Sequence, residues 1–218
     1  SVFADRTGIR QKQAPVTRYS SIEGEVLEDT LFDDGKWQEG HLRHGINSFN
    51  LMQHYIFRKS WHFNNANRSV EVCRFNMNLM ESFGENGEVP PAWYGIYGWS
   101  SLVKSAALFG DGRKDEGYLA LECAFEYYVK WNSIEDETLL EVGNPEVFGN
   151  IRLLKARGQI ELPDGTREPV TYGNKIRYSN LWTALNSPNV WAWFNPVREE
   201  ERFKAYIERA KKLMENNK

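Results

Sequence analysis

Residues 41 to 62, HLRHGINSFNLMQHYIFRKSWH, carry all four histidines of the chain. Imidazole is a common metal ligand and the side chain best suited to proton transfer near neutral pH, so the cluster raises a metal centre or a catalytic group. Two ligands on one helix face stand three or four residues apart, because each residue turns the side chain by about 100°. His41 and His44 meet that rule. His54 lies about 140° around the axis from His41, and His62 falls in SWHFNNANRS, past the expected helix end. Against the apolar stripe Leu42, Ile46, Phe49, Met52 and Ile56, His44 and His54 take the solvated side and His41 the border. Helical zinc and iron sites favour H-x-x-x-H or E-x-x-H pairs, and neither is present. The expectation is surface or capping histidines, with no metal and no cofactor.

Paired carboxylates are the other candidate chemistry. Glu122 and Glu126 stand one turn apart, and Glu135, Asp136 and Glu137 follow. Glycoside hydrolysis needs two carboxyls facing one cleft, one of them raised by an apolar wall. Tyr127, Tyr128 and Trp131 could form that wall, with Trp93, Tyr94, Tyr97 and Trp99 as a sugar-stacking platform. Aromatics at helical spacing more commonly fill grooves between helices, and acids between them face water. No P-loop, no dinucleotide-binding glycine turn and no G-x-S-x-G nucleophile elbow occurs. Gly95 and Gly98 sit in a helical stretch, where small residues permit close helix contact.

Such residues need a folded body to hold them. The chain has 218 residues, with 8 Trp, 10 Tyr and 12 Phe, enough apolar bulk for a core without metal or disulfide staples. A net charge of −3 supplies no general attraction to phosphate backbones or anionic membranes, which argues against nucleic acid as partner. Cys73 and Cys123 lie in helical patterns 50 residues apart and read as buried thiols. That usage fits a reducing compartment, the cytoplasm. The opening SVFADRTGIRQKQAPVTRYS is polar, without the apolar region of a signal peptide. The longest uncharged run, Tyr178 to Val197, contains four asparagines and two prolines, so it is no membrane span.

Along the chain, residues 1–19 read as an extended arm, and 20–218 as a single helical domain with an inserted β-hairpin. Ser20 and Glu23 form a capping box for a short first helix. Helices are expected at about 38–59, at 67–83 with Val70, Cys73, Met77 and Met80 inward, from Pro90-Pro91 to Phe109, and at 114–134. VGNPEVFGN reads as loop. IRLLKARGQIELPDGTREPVTY, from 151 to 172, reads as short strands turning at Pro163-Asp164-Gly165. Helix returns near 179–186 and in the last segment, and Trp191 and Trp193 share a side if their stretch is extended. The fold class is therefore mainly α, an antiparallel helical stack with a small β-hairpin.

Trp99-x-x-Leu102, Gly110, and the set Gly117, Leu121 and Ala124 resemble the helix pair of a tetratricopeptide repeat over residues 99–131. The final NPVREEERFKAYIERAKK is similar to the closing helix of some bacterial proteins of that family. Val103 and Ala106 depart from the usual glycine and tyrosine, and the turn GDGRKDE is longer than the family's. The resemblance implies a stacked helical scaffold that binds a peptide or protein segment and brings no catalytic residues. The expected function is thus a protein- or peptide-binding module without catalysis of its own. The expected groove is lined by the second and fourth helices, with Trp93, Tyr97 and Trp99 as anchors. The alternative is a glycan-directed protein using Glu122 and Glu126.

Overall fold

The structure is a computed structural model and describes residues 30–31, 33–56, 65–170 and 176–217. The expected arm at 1–19, the Ser20–Glu23 capping box, His62 and the His54 side chain lie outside the described residues.

Helix α1 spans Trp37–Leu51 and passes into one π-helical turn, Met52–Ile56. Helix α2, Ala66–Glu81, starts where the Asn65 side chain accepts from the Arg68 N–H at 2.9 Å. Its inward stripe is the one the spacing predicts: Val70, Cys73, Met77 and Met80 are all buried. A 3₁₀ turn at Pro91–Trp93 uses proline's fixed φ to open helix α3, Tyr94–Gly110. Helix α3 is buried on nearly every side, as a central helix must be, with α2 and α4 (Lys114–Ser133) packed along it.

Small residues set those distances. A β-carbon on Gly98 would stand 3.1 Å from Cδ2 of Tyr128, and one on Gly117 would stand 2.7 Å from the Phe109 ring. The Ser105 hydroxyl donates to the Gly117 carbonyl at 2.8 Å across the same contact. Helix-to-helix approach at Gly98 and Gly117 is therefore the reason these positions carry no side chain.

The stretch expected as a hairpin, 151 to 172, supplies three strands of a four-stranded antiparallel meander, β1 (Leu139–Glu141), β2 (Arg152–Leu154), β3 (Gln159–Glu161) and β4 (Arg167–Pro169), in that order. The turn between β3 and β4 falls at the expected residues, with Asp164 accepting from the Thr166 N–H at 2.8 Å. Opposite charges fix the register: Glu161 faces Arg152 on one neighbour and Arg167 on the other, and both guanidiniums donate to it. Within the stretch expected as loop, Pro145–Phe148 forms a single helical turn, α5, capped by Asn144 and ended by Gly149 at φ 59°. Its four residues are too few for a period to show.

Helix α6, Tyr178–Asn186, is followed by a 3₁₀ segment, Ala192–Val197, where an extended stretch was one expectation. Trp191 packs edge-on to Trp99 at 5.5 Å, while Trp193 covers Gly110. Helix α7, Glu201–Glu215, closes the stack, with Phe203 against Phe109 and Tyr206 against Phe125. Helices and sheet share one main core. Arg43 of α1 holds Glu168 of β4 through two hydrogen bonds of 2.9 and 3.0 Å. Among the described residues no helix is long and apolar enough to cross a membrane.

Candidate functional site

The β2 strand sends Leu153 and Leu154 into the core and then delivers Lys155 to the end of α4. Two backbone bonds, Lys155 N–H to Thr138 O at 3.0 Å and Glu137 N–H to Lys155 O at 3.1 Å, extend the β1–β2 ladder and fix that position. The residue is 5% exposed, rare for a lysine. Its ammonium donates to the carbonyl of Ile134, the residue that ends α4, and lies 5.1 Å from the Trp131 ring centroid. A helix's last carbonyls lack partners within the helix, and a cation there is favoured by the helix dipole. Asp136 stands 3.5 Å away. Burial holds the Lys155 ammonium below the ordinary lysine range, and Asp136 offsets that only in part.

Above this lysine opens a cleft of about 1040 Å³. One wall is the α4–β1 connection with Trp131, Glu135 and Asp136; a second is the β2–β3 turn with Arg157. Ile176, Arg177 and the start of α6 also line it, and Met214 of α7 adds an apolar surface. The volume is at the upper end of the range for small-ligand pockets. Two of the lining cations are matched, Lys155 by Asp136 and Arg157 by Glu137. Among the described residues neither Glu135 nor Arg177 has an ion-pair partner. The lining holds no histidine and no cysteine, and its lysine is engaged as a helix cap. Aromatic and apolar surface and charges of both signs share this lining.

The residues expected to bind lie elsewhere. Trp93 is 0% exposed; its indole N–H donates to the Val142 carbonyl at 2.6 Å, and Phe49, Phe83 and Phe148 surround it. Tyr97 is 6% exposed, donates to Glu81 at 2.5 Å and packs on Tyr127 at 4.2 Å. Burial, together with that hydrogen bond, pushes its phenol up. Trp99 is half-buried against Trp191. Glu122 accepts two hydrogen bonds from Arg209 of α7, at 2.7 and 2.8 Å, whereas Glu126 pairs with Lys130 at 2.6 Å. Each carboxylate is thus held by a different cation, and neither lines the cleft.

His41 donates to the Pro145 carbonyl at 3.2 Å, and His44 shares a 3.4 Å hydrogen bond with Ser48. Among the described residues no three of His, Cys, Asp and Glu converge as a metal site requires. Cys73 is buried, which pushes its thiol up to about 12.

Sequence reasoning missed Lys155, Arg157 and Arg177. They come from segments far apart in the chain, and KARG lies in a stretch that reads only as short strands. The one available signal was Trp131 with Glu135 and Asp136 at the end of a long helix, which gathers aromatic and acidic groups in six residues. No protein-family model matches the chain, and no curated protein or solved structure shows significant similarity to it.

Proposed function

We propose that this chain is a peptide-binding helical module without catalysis of its own, and that the peptide lies in the cleft above Lys155. The cleft itself carries the reading: a concave surface with Trp131, the apolar side chains of Ile134, Ile176 and Met214, and charges of both signs, set on the ends of helices. Side chains and backbone of a peptide need that mixture, and sites held by helices and strands keep their shape on binding. The buried Lys155 supports it further, because it locks the end of α4 and so holds Trp131 in place.

The test is equilibrium dialysis of the intact protein against a random hexapeptide pool, with retained peptides identified by mass spectrometry. Ser179→Trp, at an exposed position on the cleft wall, serves as a blocked control. Retention by the wild type and its loss in Ser179→Trp, at unchanged melting temperature, supports the proposal. No retention of hexapeptides or of shorter peptides, or equal retention by the blocked variant, overturns it.

A further inference from the structure

Resting on the peptide-binding reading, we infer that the cleft selects short peptides with both ends free, placing the ammonium at Glu135 and the carboxylate at Arg177. The argument is one of charge matching inside the cleft. Its other lining charges are already compensated: Lys155 by Asp136, and Arg157 by Glu137 across the β-turn. Glu135 and Arg177 come from separate segments, one from the α4–β1 connection and one from the head of α6, and neither has an ion partner among the described residues. A ligand that offers one positive and one negative end neutralises both at once. An anion alone or a cation alone leaves one of them uncompensated.

Apolar surface shares the cleft with the two charges. Trp131, Ile176 and Met214 lie in the same cleft and suit the side chains of a peptide two or three residues long. Long internal segments gain less, since their ends fall outside. The guanidinium of Arg177 can hold a carboxylate through two parallel hydrogen bonds, the geometry that fixes both position and direction. The peptide's direction follows: amino end toward α4, carboxyl end toward α6.

The experiment uses random tripeptide pools in four forms: both ends free, N-acetylated, C-amidated, and capped at both ends. Each is dialysed against the intact protein and against Glu135→Gln and Arg177→Gln, two exposed substitutions. The expected result is at least tenfold greater retention of the uncapped pool, as a charge-assisted hydrogen bond implies. Glu135→Gln should erase only the penalty of acetylation, and Arg177→Gln only that of amidation. Equal retention of capped and uncapped pools overturns the inference and leaves the peptide reading intact. So does retention of hexapeptides with no tripeptide form retained. If no peptide of either length is held, the peptide reading itself fails.

Discussion

Gly45 of α1 meets the backbone of Phe148 so closely that a β-carbon there would stand 2.2 Å from the Phe148 carbonyl oxygen. That contact seats α5 on α1, and with it the ring of Phe148 against Trp93 and Phe83. Gly45→Ala gains about 1 kcal/mol of helix preference. The clash is with backbone, which cannot rotate aside, and overpacking of this kind costs about 1–3 kcal/mol or more. The net expectation is a loss of stability, read as a lower urea midpoint with an unchanged slope. A variant as stable as the wild type would mean that the two segments do not meet as described.

Tyr128 gives an opposite expectation. The residue is fully buried, and among the described residues its hydroxyl has no hydrogen-bond partner. Leaving such a group unsatisfied costs about 1–3 kcal/mol, so Tyr128→Phe should raise stability by about 1 kcal/mol. Burial also pushes this phenol up. The unfolded chain therefore releases the proton first as pH rises above 10, and stability falls there. Urea titrations at pH 8 and pH 11 should show that alkaline loss to be smaller in the variant than in the wild type. A destabilised Tyr128→Phe would show that the hydroxyl has a partner.

Much of this architecture was legible in the sequence because helices of four or five turns repeat their pattern. The stripe of α2 and the double-proline start of α3 needed only spacing, and Pro163-Asp164-Gly165 needed only turn chemistry. Elements of three or four residues defeated the same reasoning. Leu139–Glu141 is too short to alternate, and Pro145–Phe148 too short to turn twice. Aromatic residues were legible as a class but not in their role: the same pattern suits an anchor or a core residue, and packing alone put Trp93 inside. The cleft was the least legible part. Burial of Lys155 depends on where β2 meets the end of α4, a contact that no local signal encodes.

The bond between Glu122 and Arg209 joins α4 to α7, with the guanidinium 4.5 Å from the Phe125 ring centroid. Partial burial works against ionisation of Glu122, but hydrogen bonds from Arg209 and Tyr206 outweigh it and hold the carboxyl below its ordinary value. The pair is largely exposed, so its worth is about 0.5–1 kcal/mol. Glu122→Gln should lower stability by that amount at pH 7, and by less in molar salt. The difference should vanish as pH falls through the lowered carboxyl value, where the wild type loses the charge too. If Glu122→Gln instead abolished binding on a glycan array without touching stability, Glu122 would be a ligand contact rather than a helix tie.

Lys155→Met separates what the lysine does for the fold from what the cleft does for a ligand. The substitution removes a desolvated charge and keeps most of the stem, but it leaves the Ile134 carbonyl without its cation. Those effects oppose each other, and exchanges of buried charge for apolar bulk are commonly neutral or favourable. The expected stability at pH 7 is within about 1 kcal/mol of the wild type. The pH dependence is more telling. Because the folded ammonium sits below the ordinary value of 10.5, the folded protein sheds this proton before the unfolded chain does. Wild-type stability should therefore gain on that of Lys155→Met as pH rises through the alkaline range to about 10.5, where the unfolded chain also deprotonates. Taking the difference between the two proteins cancels the tyrosines, which act in the reverse direction. Chemical denaturation at half-unit steps from pH 7 to 10.5 measures it, and a flat difference would place the ammonium in water instead of beneath Trp131.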